Sequence, residues 1–333
     1  MSPKLNYIHY FRALAIIFIV SGHSIDIFDW PDGSELERWL RIFISNGSAL
    51  FVFIAGYLFQ HLLVKFDAKK YYKNKLTNVL LPYLIVSIPA IIIFTFIIER
   101  DRVPADLYDS SYINIITYFI LTGRHLAPLW FIPMIAIFFM VAVPLKNLDK
   151  SRFFYMLLPI LILISCVIPR GGMPYQNFTH FFSIYMLGMF CSHYKDQIND
   201  VISKPSFLIA SLSLVVAFAF SEFYYTTRTM TWLNFLQKCF ASIFFLGLLY
   251  KFNYKLTSKL LSKVADYSFG VFFIHSYIIS FGKVLYAHLY DEPVRFHLIL
   301  YVACILLTFS ICLLIVDVVK LIFKSRSRYL VGS

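Results

Sequence analysis

The chain has 333 residues, of which 59% are apolar and 14% are charged, and its mean hydropathy is +0.72. This composition excludes an ordinary soluble domain and is typical of a polytopic membrane protein. The net charge of +12 comes from basic residues scattered over five loops and the tail, so we expect no nucleic-acid partner.

Ten apolar stretches of about 20 residues, the length that a bilayer requires, follow one another along the chain. We therefore predict an all-α, polytopic membrane protein of about ten transmembrane helices that forms a single domain over 1–333. The stretch 112–123 is a candidate for an interfacial or re-entrant helix. The predicted spans are 7–28, 40–63, 76–98, 127–146, 153–169, 177–193, 206–221, 232–250, 268–289 and 296–322.

The charges of the loops predict the topology. With the amino terminus inside, 20 of the Lys and Arg residues lie on the inner side and 10 on the outer side. This asymmetry agrees with the positive-inside rule, so we expect both termini in the cytoplasm. No outer connection exceeds about 20 residues, so any chemistry must belong to the helices and short loops.

The first span carries the most informative pattern. Arg12 and His23 are eleven residues apart, which in a helix is three turns plus about 20°, so both side chains lie on one face, roughly 16 Å apart. His9 and Asp26 fall on the same stripe. Charged side chains inside a span are costly, so we expect this stripe to face a polar cavity. Four ionisable groups and the length of the segment also argue against a cleavable signal peptide.

Each residue of the stripe has an alternative interpretation. Arg12 could extend to phosphate headgroups, His23 could be a hydrogen-bonded core histidine, and Asp26 could be an exposed residue at a helix end. The functional interpretation makes His23 a general base, with Asp26 holding its imidazole tautomer.

Other candidates follow later in the chain. Arg124 and His125, at the outer mouth of the fourth span, could bind an anionic acceptor or lipid headgroups. Trp130 could line a sugar or acyl pocket or belong to the core. His275 could bind substrate or form a hydrogen bond between helices. The five cysteines contain no Cys-x-x-Cys pair, so we predict neither a metal site nor a disulfide framework.

Four segments together resemble the acyltransferase 3 family of bacterial integral-membrane O-acyltransferases. The segment Phe11-Arg-Ala-Leu-Ala-Ile-Ile-Phe-Ile-Val-Ser-Gly-His23 resembles the first-helix motif of that family. The next helix, Leu50-Phe-Val-Phe-Ile-Ala-Gly-Tyr-Leu-Phe59, resembles its FFxxSGYL stretch, with Ala55 where Ser is usual. Pro128-Leu-Trp-Phe-Ile132 resembles its LWFL motif, and Tyr267-Ser-Phe-Gly-Val-Phe-Phe-Ile-His-Ser276 resembles its YSxGIYLxH motif.

The resemblance implies an enzyme of the bacterial inner membrane that uses acyl-CoA, without a permanently bound cofactor, to acylate a hydroxyl of a cell-envelope glycan. His23 would then be the general base, and Arg12 with Lys73 and Lys75 would hold the phosphates of the donor. One departure is that the arginine pair usual before the third span is replaced here by Lys75 and Asn78, which puts bidentate phosphate recognition in doubt.

Two other classes of protein fit the same composition. A transporter of a glycan or of a lipid-linked intermediate would also need many spans and a polar helix face. Such proteins often contain inverted repeats or discontinuous helices, and the sequence reveals neither. A sensor or an assembly scaffold would explain the loops but not the stripe that contains Arg12 and His23.

Overall fold

The computed structural model describes residues 5–332 except 102 and 152. The described part is almost entirely helical, with one short pair of strands. The helices are α1 (Asn6–Ser24), α2 (Glu35–Ile44), α3 (Ser48–His61), α4 (Ala68–Lys75), α5 (Leu81–Phe96), α6 (Tyr112–Thr122), α7 (Phe131–Met140), α8 (Ala142–Leu148), α9 (Leu158–Val167), α10 (Pro174–His193), α11 (Lys195–Ile202), α12 (Pro205–Tyr225), α13 (Trp232–Lys251), α14 (Lys259–Asp266), α15 (Ser268–Tyr290), α16 (Leu298–Phe323) and α17 (Ser327–Val331). The strands are β1 (Phe28–Asp29) and β2 (Val294–Arg295), which pair in parallel.

The all-α membrane architecture predicted from the sequence is confirmed. Among the described residues, seven helices are long and apolar enough to cross a membrane, or eight if a bent pair counts as one span. The bent pair is α7 and α8, which meet at 54° within the predicted fourth span. Helices satisfy their own backbone groups, which hydrocarbon requires.

The predicted number of ten spans is not confirmed. Each predicted span corresponds to a helix or a helix pair, but two of them do not have the length and apolarity of a membrane span by themselves. The helical segment Phe154–Val167, which includes α9, is shorter than a bilayer requires. Helix α10 is 20 residues long but carries several buried polar side chains, among them Asn177 and His180.

Local sequence signals explain where many helices begin. Proline stands in the first turn of α5, α9, α10 and α12, where its missing N–H costs nothing. The Ser34 hydroxyl accepts a hydrogen bond from the Glu37 backbone and caps α2. Asp67 caps α4 in the same way through the Lys70 backbone.

Two glycines let α3 and α10 pack with their backbones in contact. A Cβ added at Gly56 would lie 2.0 Å from the Tyr185 carbonyl oxygen, and one added at Gly188 would lie 2.0 Å from the Phe53 carbonyl oxygen. Membrane helices associate through such small residues, because lipid supplies no hydrophobic force between them. These glycines therefore fix the spacing of α3 and α10.

The second span is interrupted, contrary to the sequence analysis, which found no discontinuous helix. Helix α2 ends at Ile44 and α3 begins at Ser48, and between them Asn46 has a left-handed φ of 61°. A buried lysine of α13 stabilises this break, since Lys238 Nζ donates to the Phe43 carbonyl oxygen over 2.7 Å. An ammonium group there satisfies the last carbonyls of α2 and complements its dipole.

Candidate functional site

The polar stripe of α1 faces two other helices, as its spacing predicts. His9 Nε2 lies 2.9 Å from the Ser262 hydroxyl of α14, and Arg12 Nη2 donates to the Ser268 hydroxyl of α15 over 2.9 Å. The ring of His23 lies 5.3 Å from the ring of His275, which also belongs to α15. The stripe therefore packs against α14 and α15 and is not directed at lipid.

His23 lines a small cavity, which we call the outer cavity because the predicted topology places this end of α1 outside. Its volume is about 100 Å³. Trp130 and Arg170 also line it, and the residues of the break in the second span, Ser45–Gly47, form one wall. The outer cavity thus combines an imidazole, a guanidinium and an indole.

Arg12 lines a different cavity, the inner cavity, which has a volume of about 350 Å³. Lys75 borders it together with the aromatic side chains of Tyr71, Phe139 and Phe269. The Lys75 ammonium lies over the ring of Phe139, 4.7 Å from its centroid. Lys73 is exposed and is not part of this lining, so only one of the two predicted lysines joins Arg12.

One turn of helix separates the two cavities. They share no lining residue, yet Phe269 of α15 lines the inner cavity and Phe272 lines the outer one. These two rings are 6.2 Å apart, and Phe131 lies 5.6 Å from Phe272. The sequence led us to expect one pocket for Arg12 and His23. The structure instead has two pockets, separated by an aromatic partition that consists of Phe131, Phe269 and Phe272.

Asp26 does not pair with His23, which corrects the predicted dyad. Its carboxylate accepts a hydrogen bond from Arg41 Nη1 over 2.9 Å, and Arg41 Nε also donates to Glu37 over 2.7 Å. Arg41 comes from α2, so this contact depends on tertiary packing. Asp26 lines the outer cavity but is engaged by a cation.

His275, rather than Asp26, is the ionisable neighbour of His23, and its ring does not line the outer cavity. Its side chain is fully buried and lies outside the lining of the outer cavity. Nδ1 donates to the Val271 carbonyl oxygen over 2.9 Å, and Nε2 has no hydrogen-bond partner within the described part of the chain. The ring is therefore enclosed by protein in this structure, and its predicted role in substrate binding stays a prediction.

Arg124 and His125 also lie away from both cavities. His125 is fully buried, donates from Nδ1 to the Phe119 carbonyl oxygen over 3.0 Å and accepts from the Ser87 hydroxyl over 2.8 Å. Burial lowers its pKa to about 4. Arg124 Nη1 donates to Tyr118 over 3.1 Å. Both side chains thus bond to neighbouring protein groups, and neither lines the outer cavity.

Trp130 lines the outer cavity, next to an arginine that the sequence analysis did not single out. The guanidinium of Arg170 lies over its indole, 4.2 Å from the ring centroid. Arg170 follows α9, where the sequence analysis counted it only as an outer-loop charge. No residue pattern around it is distinctive, so only the folded structure brings it to His23.

A third cavity lies near the start of α15, on the inner side. It has a volume of about 780 Å³ and is lined by Tyr267, Lys320, Lys324 and Arg328, together with the carboxylate of Asp266. Tyr267 precedes the residue that Arg12 contacts, and Phe269 follows it. Gly332 also lines this basic cavity, and a Cβ added there would lie 3.1 Å from the Phe269 ring of the inner cavity, so the two cavities adjoin.

Comparison with known proteins agrees with this architecture. A family model described as an acyltransferase domain matches residues 5–317, nearly the whole chain. A search of curated proteins and a search of solved structures each returned no match. The match covers the stripe of α1, both cavities and the aromatic partition, and we conclude that the chain belongs to the acyltransferase 3 family and is a multi-pass membrane acyltransferase.

Proposed function

We propose that the protein transfers an acetyl or other short acyl group from cytoplasmic acyl-CoA to a hydroxyl of a cell-envelope glycan in the bacterial inner membrane. The observation that carries this proposal is the placement of Arg12 and His23. One helix presents a cation to a cavity on the inner side and an imidazole to a cavity on the outer side. A donor and an acceptor that approach from opposite sides need this arrangement.

The inner cavity suits the acyl-pantetheine arm of the donor. Its walls are mostly apolar and aromatic, and the cationic groups of Arg12 and Lys75 border it. Arg12 also donates to Ser268, which fixes its guanidinium at the start of α15. Cations at the border of an apolar cavity match a ligand with a polyanionic head and an apolar arm.

The basic cavity suits the nucleotide end of the donor. Lys320, Lys324 and Arg328 supply positive charge for phosphates, and the Lys320 ammonium lies over the ring of Tyr267, 3.8 Å from its centroid. Its position next to the inner cavity would let one extended molecule occupy both. Lys73, which the sequence analysis also assigned to the donor, is exposed on α4 and could contribute only long-range attraction.

The chemistry requires a base on the acceptor side. The thioester end of the donor extends from the inner cavity past the aromatic partition to His23, which takes the proton of the acceptor hydroxyl while the hydroxyl oxygen attacks the thioester carbonyl carbon. The tetrahedral intermediate collapses, the carbon–sulfur bond breaks, and the CoA thiolate leaves and receives the proton from the imidazolium. General-base assistance of this kind typically contributes about 10²–10⁴ in rate.

His275 is the positioning residue for this base. Because its Nδ1 donates to a carbonyl, the neutral ring keeps a lone pair on the unpartnered Nε2. We propose that Nε2 accepts a hydrogen bond from one N–H of His23. The other nitrogen of His23 is then unprotonated and able to act as the base, a role that the sequence analysis gave to Asp26.

The test is transfer of radiolabelled acyl groups from acyl-CoA to envelope glycan by the purified protein. We expect His23→Ala to lower the rate by about 10²–10⁴ and Arg12→Ala to raise the KM for acyl-CoA. Exposed residues of the same types, His288 and Arg295, give the matched controls H288A and R295A. Wild-type transfer rates in both His23→Ala and Arg12→Ala would refute the assignment.

A transporter of a glycan intermediate is the second candidate. The interrupted second span and the two cavities on opposite sides of a partition favour it, since many transporters bind substrate at broken helices. The same labelling experiment separates the two functions, because a transporter would move glycan across the membrane without transferring label to it.

A further inference from the structure

Arg170 lacks the partner that a guanidinium in a membrane protein normally has. Nη1 donates to the sulfur of Met230 over 3.7 Å, and a thioether is a weak acceptor. Throughout residues 5–332, apart from the two omitted positions, no carboxylate forms an ion pair with it. Burial lowers its pKa only to about 10, so the group is charged at neutral pH.

The charge balance of the outer cavity singles out the same residue. Its lining contains the two guanidinium groups of Arg41 and Arg170 and the carboxylate of Asp26. Arg41 is already shared between Asp26 and Glu37. Arg170, which is half-buried, is therefore the cation in this cavity whose charge no carboxylate compensates, and such a charge is costly to keep away from bulk water.

Two buried side chains of α10 hold the loop of Arg170 in place on either side. The backbone of Gly171 donates to Asn177 Oδ1 over 3.0 Å, and Asn177 Nδ2 donates back to the Gly171 carbonyl over 2.9 Å. His180 Nδ1 donates to the Ile168 carbonyl over 2.8 Å. With Trp130 beneath the guanidinium, the group is preorganised, as binding sites require.

We propose that the acceptor is an acidic sugar, whose carboxylate or phosphate binds Arg170 while its hydroxyl meets His23. This inference rests on the proposed function and names its substrate class. His23 and Arg170 line one cavity of about 100 Å³, so the charge and the reacting hydroxyl belong to the same sugar unit. Trp130 lines the same cavity and holds the guanidinium by a cation–π contact.

Arg170 could instead stabilise the oxyanion of the tetrahedral intermediate, and the two roles differ in their kinetics. An oxyanion contact would lower kcat for every acceptor by a similar factor. A contact with the acceptor's own charge would act on the KM of acidic acceptors and leave neutral ones nearly unchanged. Comparing both acceptor types in one variant therefore separates the roles.

The experiment measures binding of glucuronic acid, glucose 6-phosphate and glucose to the purified full chain in a nonionic detergent without phosphate or sugar groups. We expect one or both acids to bind at least tenfold more tightly than glucose, and the two acids distinguish carboxylate from phosphate recognition. In Arg170→Gln this preference is lost, a fall of roughly tenfold to a hundredfold. Arg170→Lys retains part of it, and R295Q is the matched control.

Equal binding of glucose and both acids to the wild-type protein would overturn the proposal, whether or not the variants fold. So would an acid preference that survives in Arg170→Gln, or an equal loss of kcat for acidic and neutral acceptors in that variant. A different result would refute the proposed function alone: the acid preference depends on Arg170, but the protein transfers no acyl group.

Discussion

His23 and His275 are neighbouring histidines whose surroundings give them different roles. His23 is half-buried and lines the outer cavity, whereas His275 is fully buried behind it. The hydrogen bond to the Val271 carbonyl fixes which nitrogen of His275 carries its proton. The base proposed for the reaction is thus backed by a second histidine that does not line the cavity.

This pairing predicts the effect of changing His275. In His275→Phe, the His23 ring keeps an aromatic neighbour but loses the acceptor proposed for its N–H, so we expect kcat to fall about tenfold to a hundredfold with the KM for acyl-CoA unchanged. In His275→Gln the side-chain carbonyl can accept a hydrogen bond, and part of the activity should return. The measurement is steady-state acyl transfer over a range of pH. If both variants lose activity equally while folding normally, His275 does not act through a hydrogen bond.

At the scale of elements, the packing of α3 against α10 determines the position of the inner cavity. Ala55, next to Gly56 on α3, and Tyr185, which faces Gly56 from α10, both line that cavity. Any increase in the spacing of the two helices therefore changes the cavity as well as the stability. A methyl group at this contact meets backbone atoms, which cannot rotate away.

We accordingly expect Gly188→Ala to destabilise the protein by about 1–3 kcal/mol and to raise the KM for acyl-CoA. Gly282→Ala on α15 is the matched control, because a Cβ there meets no atom within 4 Å. Thermal unfolding in detergent and acyl-transfer kinetics are the two measurements. A Gly188→Ala protein as stable as Gly282→Ala would contradict the close helix contact.

The sequence predicted the stripe of α1 because helical periodicity is a local property of the chain. It could not predict that Asp26 pairs with Arg41, since that contact depends on how α2 returns across α1. The break in the second span had a local signal, the Asn46-Gly47 dipeptide, which is a turn sequence. It lay inside an apolar run, and the run was taken as one helix. Arg170 had no such signal.

At the scale of the whole molecule, the two cavities and the predicted topology predict from which side of the membrane a reagent reaches each cavity. Asn74 is exposed and borders the inner cavity, and Met230 is exposed and borders the outer one. The five native cysteines are all free, and each is buried or half-buried. The chain therefore offers good positions for labelling from each side of a membrane.

We expect Asn74→Cys, in a background without native cysteines, to react with a membrane-impermeant maleimide only from the cytoplasmic side. Met230→Cys should react only from the opposite side. The measurement compares intact and inverted membrane vesicles, with the cysteine-free chain as the blank. Reaction of both positions from one side would show that the assignment of inner and outer is wrong.

The aromatic partition also bears on the electrical state of the membrane. Phe269 and Phe272 are about 4.5 Å apart along the helix axis, whereas the hydrocarbon core is about 30 Å thick. Arg12 borders the cavity on one side of the partition and His23 lines the cavity on the other; where water fills both cavities, the voltage across the bilayer falls mainly over the protein between them. In the proposed mechanism, departure of the thiolate inward while an imidazolium remains outside would separate charge across the partition and do electrical work, so the energised state of the cell would enter the rate of acyl transfer.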